Sequence, residues 1–313
     1  MALQKILVLV GPTAVGKTEL SLRLAEELQA EIISADSMQV YRGMDIGTAK
    51  PSTEERSRVT HHLLDVVEPD ETFNVADYIN LAEKVLKDLQ ERKVTPLLTG
   101  GTGLYVDALL EGFLFPDTGA DPMIRRELEA QAEKDPLSLH RELEEVDPVS
   151  AGRLHPNDLR RIIRALEVYR RTGEPISVLQ QKRDRGQRPY DPLYIGLVRD
   201  REELYSRVNQ RVDQMLKEGL VAEVAALLER YPDQPTALQA LGYKEIAHYL
   251  RGAVPLTEAV ELLKRDTRRY AKRQLSWFKR NKRIHWFNLT TMDESAVEKG
   301  ILELWQDFSS VQR

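Results

Sequence analysis

Hydrophobic residues in the first third of the chain alternate between two kinds of spacing. Residues 6–10 (ILVLV) form a continuous apolar run, which is typical of a buried parallel strand, and residues 19–28 have the apolar spacing of a helix. Residues 30–36 (AEIISAD) and 94–105 (VTPLLTGGTGLY) predict further parallel strands, and residues 75–92 predict a helix between them. The alternation predicts an α/β fold in which helices flank a parallel sheet.

Short helical segments replace this alternation after residue 116. Three Asp-Pro pairs follow, each able to supply an N-cap and the first residue of a helix: Asp121-Pro122, Asp135-Pro136 and Asp147-Pro148. The next segment, NDLRRIIRALEVYRRTG (157–173), has the apolar face of a helix and ends on a glycine. This part of the chain is therefore predicted to be mainly helical.

The end of the helical region is also visible in the sequence. Residues 180–192 are polar and basic, as in a linker, and LYIGLVRD (193–200) predicts another buried strand. We therefore predict a P-loop NTPase-like α/β core from residues 1–116 and 191–313, with a helical insertion at 117–190.

Composition limits the class of protein. With 313 residues, of which 42% are hydrophobic, the chain can bury a large core and is long enough for about two domains. No apolar run approaches the roughly 20 residues that span a bilayer, and the first residues resemble a strand rather than a signal peptide. We therefore expect a cytoplasmic protein. Because the chain has no cysteine, any metal would be bound through oxygen.

Positive charge is concentrated in two segments of a chain whose net charge is −5. Residues 264–283 contain ten Lys or Arg and one acid, and residues 153–188 contain ten Lys or Arg and four acids. Either segment alone is typical of a solvated helix face. The two together favour a polyanion such as RNA, particularly because Tyr270, Trp277 and Phe278 lie among the cations, although these aromatics fit a core equally.

A glycine-rich loop connects the first predicted strand to the first predicted helix. It fits the pattern G-x-x-x-x-G-K-[ST] with the residues Gly11, Pro12, Thr13, Ala14, Val15, Gly16, Lys17 and Thr18. Backbone N–H groups of such a loop hold phosphates, the lysine neutralises them and the hydroxyl binds Mg²⁺. The strand and the helix supply the context that this motif requires, so we predict a phosphate site with Thr18 as a magnesium ligand.

Acidic residues that could serve this loop are few. An ATPase of this class has a second apolar strand that ends in Asp, whereas here Leu98 is followed by Thr-Gly-Gly-Thr-Gly. Asp36 is the acid at a strand end, where it should face the loop together with Thr99 and Thr102. On the pattern alone, Asp36 is best explained as a helix N-cap, and its functional alternative is the base of a small-molecule kinase.

Seven motifs, in order, give the chain an end-to-end resemblance to one enzyme family. They are GPTAVGKT (11–18), DSMQVYRGMDIGTAKP (36–51), HHLLDV (61–66), GGTGLY (100–105), NDLRRIIRALEV (157–168), QALGYKE (239–245) and KRQLSWFKR (272–280). The chain resembles the bacterial tRNA dimethylallyltransferases, or tRNA isopentenyltransferases. Eukaryotic members often add a cysteine-rich zinc finger, and the lack of cysteine here fits the bacterial type.

The resemblance implies a reaction and a set of catalytic residues. Dimethylallyl diphosphate would bind the loop, and its prenyl group would pass to N6 of the adenine 3′ of the anticodon (position 37) in tRNAs that read codons starting with U. Asp36 matches the family's general base, and Thr102 matches a residue that helps to hold the reacting groups. Lys17, Mg²⁺ and Arg211 would neutralise the leaving diphosphate. Without the resemblance, Arg211 would be interpreted as a solvated helix arginine.

The resemblance also implies where tRNA binds. The expected contacts are Asp36, Ser37, Met38, Gln39, Thr102, Arg125, Asp158, Arg161, Arg164, Lys272, Arg273, Gln274 and Trp277. Residues 36–39 would contact the target adenine and its neighbours, and the insertion would hold the anticodon stem-loop. Reaching N6 requires the base to leave its stack, at a cost of a few kcal/mol. No obligate protein partner is apparent.

Three other functions share some of these features. A small-molecule kinase would use the loop and Asp36 but leaves the clustered positive charge without a role. An adenylate isopentenyltransferase, which makes a free cytokinin, shares the chemistry but does not need a basic insertion. An RNA-binding protein with a vestigial loop would not require Lys17, Thr18 and Asp36 together. The motif also leaves open whether ATP binds.

Overall fold

The chain divides into two compact units. The computed structural model describes residues 3–111, 121–183, 190–232, 234 and 236–310, with backbone alone for 181–183. Met1–Glu111 and Pro189–Arg313 form one unit, called the core unit below, and Gly112–Arg188 form the other, called the inserted unit. The sequence pattern placed the boundaries at residues 116 and 190, and the first of these lies outside the described residues.

Six parallel strands form one sheet in the described part of the core unit. They are β1 (Gln4–Val10), β2 (Ala30–Ser34), β3 (His61–His62), β4 (Thr95–Gly100), β5 (Tyr190–Val198) and β6 (His285–Asn288). Their order is β3-β2-β4-β1-β5-β6, so that β1 pairs with β4 on one side and with β5 on the other. The predicted parallel α/β sheet is confirmed.

Burial on both faces explains the continuous apolar sequence of β1. Ile6, Val8 and Val10 belong to one hydrophobic cluster and Leu7 and Leu9 to another, and all five are fully buried. Because successive side chains of a strand point to opposite faces, the two clusters lie on opposite sides of the sheet. Helices therefore cover both faces of the sheet.

Helices account for much of the remaining described chain. The first are α1 (Lys17–Leu28), α2 (Thr53–Arg58), α3 (Val75–Arg92) and α4 (Gly103–Leu110). The inserted unit contains α5 (Pro122–Lys134), α6 (Ser138–Val146), α7 (Pro148–Ala151), α8 (Leu159–Thr172) and α9 (Ile176–Arg183). The core unit continues with α10 (Arg201–Glu218), α11 (Leu220–Arg230), a 3-10 turn (Ala237–Gln239), α12 (Tyr243–Leu250), α13 (Leu256–Phe278) and α14 (Glu294–Ser310). Within the described ranges, no helix is long and apolar enough to cross a membrane.

One predicted strand is too long. The strand expected over residues 94–105 ends at Gly100, and α4 begins at Gly103. Tyr105, Val106 and Leu109 are buried at helical spacing, so the apolar residues after the glycines continue a helix rather than a strand. The Gly-Gly-Thr-Gly segment is thus a strand-to-helix turn.

The Asp-Pro pairs differ in what they do. Asp121 and Asp147 accept hydrogen bonds from the first turns of α5 and α7, as predicted. Asp135 instead ends α5 as its C-cap, and α6 begins at Ser138, so the N-cap prediction is wrong there. Residues 190–192 belong to β5 rather than to a linker.

The inserted unit has a small hydrophobic core of its own. Leu128, Leu139, Leu143, Ile162 and Leu166 are at most 1% exposed. They come from α5, α6 and α8, so these three helices pack on a shared apolar centre. α8 ends as predicted, because the glycine that follows Thr172 has a φ of 71°, a conformation that favours glycine.

Candidate active site and RNA-binding residues

A cleft of about 850 Å³ opens at the carboxyl ends of the central strands of the core unit. Lys17 and Thr18 of the glycine-rich loop line it, together with Asp36 after β2, Thr99 at the end of β4 and Arg211 on α10. Ligands of open α/β sheets bind at this edge, because the loops that follow the strands converge there. The structure therefore brings the predicted catalytic residues into one cavity or next to it.

The glycine-rich loop has the conformation of a phosphate site. Gly16 has a φ of 113°, which disfavours other residues, and a Cβ on Gly11 would lie 2.7 Å from the carbonyl oxygen of Leu197. Lys17 begins α1, and its Nζ donates to the carbonyl oxygens of Gly11 at 2.9 Å and Pro12 at 2.8 Å. The loop therefore presents a helix N-terminus and an ammonium group to the cleft, which suits an anion.

Two cations influence each other in this cleft. Burial, and secondly the charge of Arg211, lower the pKa of Lys17 to about 7, whereas the charge of Asp36 opposes the shift. Burial also lowers the pKa of Arg211, against the effects of Asp36 and Glu218, but a guanidinium stays charged in proteins. Arg211 is half-buried in the cleft wall, so it is not the solvated arginine that its helix position suggests. A diphosphate would relieve this repulsion between like charges.

Asp36 lies in a turn and not at the start of a helix. Its Oδ1 accepts a hydrogen bond from the backbone N–H of Met38 at 2.9 Å, which is an Asx-turn. No helix begins in the described residues directly after it, so the N-cap interpretation is wrong. The carboxylate lines the cleft, where it can accept a proton from a ligand.

Thr102 connects the turn after β4 to the Asp36 turn. Its Oγ1 accepts from the backbone N–H of Ser37 at 3.0 Å and donates to Ser37 Oγ at 3.3 Å. The backbone N–H of Thr102 donates to the carbonyl oxygen of Ala35 at 3.1 Å. Thr102 thereby fixes the residues on either side of Asp36.

Gln39 supports the opposite end of the same turn. Its Oε1 accepts from Ser34 Oγ at 3.0 Å, and its Nε2 donates to the carbonyl oxygens of Thr48 and Ala49, both at 3.3 Å. Met38 and Gln39 both line the cleft. The predicted adenine contacts, residues 36–39, thus form one ordered segment of the cleft wall.

Gln274 on α13 joins the two glycine-rich segments. Its Oε1 accepts from the backbone N–H of Thr13 at 2.9 Å, and its Nε2 donates to the carbonyl oxygen of Gly101 at 3.0 Å. The side chain is 5% exposed, and a Cβ on Gly101 would lie 2.1 Å from it. Gln274, expected as an RNA contact, therefore uses its amide within the protein.

Other residues of α13 divide between the interior and the surface. Trp277 Nε1 donates to Asp107 Oδ2 at 2.8 Å, so the polar atom of this predicted RNA contact is bonded within the protein, while the residue stays partly exposed. Burial, and secondly the charge of Asp36, raise the pKa of Tyr270, whereas hydrogen bonds with Thr102 and Gln274 oppose the shift. Lys272 and Arg273 are exposed, and Arg273 lines the cleft and stacks over Tyr270 at 5.6 Å from the ring centre.

The donor atoms of the cleft fit Mg²⁺ bound with phosphates. The described residues contain no group of three or more His, Asp or Glu that could hold a metal by themselves. Thr18 lines the cleft, and the buried Thr99 Oγ1 has no hydrogen-bond partner in the described part of the chain. Mg²⁺ commonly takes one or two protein oxygens and completes its shell with water and substrate phosphates, which matches this sparse donor set.

The inserted unit carries the other predicted RNA contacts. Arg161 is exposed and pairs with Asp158 at 3.1 Å, three residues earlier. Arg125 Nε and Nη2 donate to Glu167 at 2.8 and 3.0 Å, and Arg164 Nη1 donates to the same carboxylate at 2.7 Å. The structure therefore brings Arg125 and Arg164 together although they are far apart in sequence.

The sequence did not indicate that two acidic residues, Glu167 and Glu223, shape these sites. Glu167 holds the two arginines described above. Glu223 accepts from the backbone N–H groups of Asp45, Ile46 and Gly47 at 3.0, 2.8 and 3.1 Å, and thereby fixes a loop that borders the cleft. A Glu on either helix is expected to be solvated, and most of the groups that these two residues bind lie far away in the chain.

The fold and the cleft by themselves indicate the class of protein. A phosphate loop after the central strand, with a carboxylate and cations facing the same cavity, is typical of a P-loop α/β protein that acts on a phosphate ester. Residues 39–281 match the model of the IPP transferase family. The chain belongs to the IPP transferase family. The family match begins at residue 39, after the phosphate loop. The loop and the family match therefore indicate the chemistry independently of each other.

Curated relatives match the chain over nearly its whole length. The tRNA dimethylallyltransferase of Carboxydothermus hydrogenoformans is 51% identical over 302 residues, which cover 96% of this chain and 97% of that protein. The tRNA dimethylallyltransferase of Halothermothrix orenii is 48% identical over 305 residues, which cover 97% of this chain and 93% of that protein.

Solved structures support the same assignment. The full-length tRNA isopentenylpyrophosphate transferase of Bacillus halodurans has a TM-score of 0.72 and 46% identity, covering 98% of this chain and 96% of that one. A eukaryotic dimethylallyltransferase acting on tRNA has a TM-score of 0.84 and 29% identity, covering 98% of this chain and 80% of that one. These similarities favour the transferase over the kinase alternative.

Proposed function

We propose that this chain is a tRNA dimethylallyltransferase. It transfers the dimethylallyl group of dimethylallyl diphosphate to N6 of the adenine 3′ of the anticodon in tRNAs that read codons starting with U, and releases diphosphate. One observation carries the proposal: Lys17 and Arg211 face the same cleft as Asp36, so a leaving-group site and a proton acceptor share one cavity. The names of the relatives support tRNA as the acceptor and a dimethylallyl group as the group transferred, and the target adenine is the one that the family resemblance implies.

The donor half of the reaction depends on the positive end of the cleft. The bond between the allylic carbon and the diphosphate oxygen breaks, and its electron pair leaves with the diphosphate. Backbone N–H groups of the loop, Lys17 and Arg211 stabilise the negative charge that develops on that oxygen. Mg²⁺, held by Thr18 together with the donor phosphates, would neutralise further charge on the leaving group.

The acceptor half depends on Asp36. The lone pair of adenine N6 is delocalised into the ring, so N6 attacks the allylic carbon well only if its proton is removed as the new C–N bond forms. Asp36 accepts that proton, and Thr102 and Ser37 keep the turn of Asp36 in place. Because Asp36 already accepts a hydrogen bond from Met38 through Oδ1, Oδ2 is the oxygen left to face N6.

tRNA binding uses exposed cations in both units. Arg273 of α13 lines the cleft in the core unit and Lys272 is its exposed neighbour on the same helix, so both suit the phosphates that flank an extruded adenine. Arg125, Arg161 and Arg164 are the corresponding groups of the inserted unit. Gln274 and Trp277 contribute by holding α13 in position, since their polar atoms are bonded within the protein.

The proposal predicts a defined product. The purified chain, incubated with dimethylallyl diphosphate, Mg²⁺ and unmodified tRNA, should yield N6-dimethylallyladenosine at position 37, detected by nucleoside mass analysis. Reactions with AMP instead of tRNA test the adenylate isopentenyltransferase alternative, and reactions with ATP and small alcohols test the kinase. Prenylation of AMP but not of tRNA would reject the proposal. Activity of the purified chain alone would also show that no protein partner is required, as we expect for a cytoplasmic tRNA enzyme.

A further inference from the structure

A buried carboxylate joins two arginines of the inserted unit. Glu167 Oε1 accepts from Arg125 Nε at 2.8 Å and from the backbone N–H of Asp121 at 2.8 Å. Its Oε2 accepts from Arg125 Nη2 at 3.0 Å and from Arg164 Nη1 at 2.7 Å. α5 and α8 are thereby linked through one side chain, in addition to their apolar core.

The cluster carries a net positive charge at the surface. The side chain of Glu167 is 0% exposed, whereas those of Arg125 and Arg164 are 41% and 35% exposed. Burial would raise the pKa of Glu167, but hydrogen bonds from Arg125 and Arg164 outweigh it and lower the pKa overall. The carboxylate is therefore ionised, and two guanidinium groups around one carboxylate leave a charge of +1.

Such a cluster is more than a stabilising ion pair. One arginine neutralises the charge of a carboxylate, yet here a second arginine joins it, and both remain partly exposed. Nη1 of Arg125 takes part in none of the hydrogen bonds with Glu167, so it can bind an external acceptor. Free arginine side chains lose rotamer entropy when they bind a ligand. Arginines already held in one geometry lose less of it on binding, so binding costs less free energy.

We propose that Glu167 is a positioning residue that holds Arg125 and Arg164 as one preformed site for a backbone phosphate of the tRNA anticodon stem-loop. This inference rests on the proposed function. Planar guanidinium groups suit the tetrahedral oxygens of a phosphate, and two of them in fixed positions bind it better than two that move independently. Glu167 itself does not touch the RNA.

Replacing the carboxylate separates positioning from simple electrostatics. Glu167→Gln raises the net charge of the cluster from +1 to +2, so an electrostatic effect alone would tighten RNA binding. Loss of positioning has the opposite sign, and we expect the dissociation constant of an anticodon stem-loop to rise about five- to tenfold. The slope of log K against log[salt] should flatten by about one phosphate contact, which is roughly 0.7 to 0.9. The KM for dimethylallyl diphosphate should stay unchanged.

A matched control tests whether any lost ion pair has this effect. Glu142 accepts from Arg170 at 2.9 Å in the same unit, and Glu142→Gln makes the same change of charge without touching Arg125 or Arg164. We expect it to leave stem-loop binding unchanged or slightly tighter. Weakening by Glu142→Gln equal to that by Glu167→Gln would overturn the proposal, as would unchanged or tighter binding by Glu167→Gln.

A second variant, Arg125→Lys, tests the proposal if Glu167→Gln does not fold. Arg125→Lys keeps the charge but cannot form both bonds to Glu167, so it should also weaken stem-loop binding severalfold. Circular dichroism at the assay temperature establishes that each variant is folded, because a purely stabilising role would lower Tm without changing affinity. Wild-type affinity in a folded Arg125→Lys would overturn the proposal. If the wild-type chain binds no stem-loop at all, the proposed function fails instead.

Discussion

The side-chain oxygen of Gln274 accepts a hydrogen bond from the backbone N–H of Thr13 at 2.9 Å, although the two residues are 261 positions apart. The amide of the same side chain donates to the carbonyl oxygen of Gly101. One residue of α13 therefore holds the phosphate loop and the turn that carries Thr102. Because Lys272 and Arg273 lie on the exposed side of α13, this helix connects a proposed RNA surface to the phosphate site.

Gln274→Leu should disturb both loops at once. It removes the partner of the partly buried N–H of Thr13 and of the buried carbonyl of Gly101, and a buried unpaired group costs about 1–3 kcal/mol. We expect a lower free energy of unfolding, a higher KM for dimethylallyl diphosphate and a lower kcat. Denaturant unfolding and steady-state kinetics measure these effects, with Ser276→Ala, an exposed position on α13, as the control. A variant with wild-type kinetics would show that Gln274 does not position the loops.

The titration of Lys17 should govern donor capture. Its pKa of about 7 in the free protein means that the ammonium is charged below that pH and neutral above it. The charged form binds diphosphate, so kcat/KM for dimethylallyl diphosphate should fall as the pH rises through about 7. Bound diphosphate raises the pKa of Lys17, so kcat should fall only at a higher pH. Lys17→Met should lower activity and remove this dependence, and a kcat/KM that is flat across this range in the wild type would contradict the assignment.

Asp36→Asn should affect the chemical step. Asparagine keeps the oxygen that accepts from Met38, so the turn should persist, but it cannot accept the proton from N6. We expect kcat to fall by roughly 10²- to 10⁴-fold, the usual contribution of a positioned base. Single-turnover prenyl transfer gives the rate, and stem-loop binding is the control. If only tRNA affinity changed, Asp36 would be a recognition residue.

Lys272→Ala should weaken tRNA binding through salt-dependent electrostatics. Loss of one phosphate contact reduces the slope of log K against log[salt] by roughly 0.7 to 0.9. Affinity for dimethylallyl diphosphate should be unchanged, because Lys272 is exposed and does not line the cleft. Lys299→Ala on α14 removes another highly exposed lysine of the core unit and should leave the slope unchanged. If the slope is the same for both variants, Lys272 does not contact a tRNA phosphate.

Local sequence predicts the elements that position the loop. The apolar run at residues 6–10 indicates a strand buried on both faces, and helix α3 has the predicted bounds. The two edge strands, β3 and β6, were not predicted, because they have only two and four residues and contain polar side chains. β3 pairs with β2 and β6 pairs with β5. These pairings, and not the hydrophobic pattern of the two short strands, determine that they form.

The roles of individual site residues are less visible in the sequence. Lys17 and Thr18 are predicted by a motif whose spacing reflects one loop geometry. Arg211 and Glu167 each lie on a charged helix, where spacing cannot distinguish a solvated side chain from one that faces a cleft or a buried partner. The family resemblance implies an RNA contact for Gln274, yet its side chain is buried and bonds within the protein. Such orientations are set by tertiary packing and not by local sequence.

The hydrogen bonds of Lys17 to its own loop favour ligands that carry a large negative charge. Two of the three N–H donors of the charged Nζ are bonded to the carbonyl oxygens of Gly11 and Pro12, so Lys17 offers a phosphate one donor at once and further donors only if those bonds open. A diphosphate carries more negative charge than a prenyl monophosphate, both to compensate for opening those bonds of Lys17 and to pair with Arg211, and a prenyl alcohol carries none. We therefore expect the loop to prefer a prenyl diphosphate to a prenyl monophosphate or a prenyl alcohol, whatever hydrocarbon chain the compound carries.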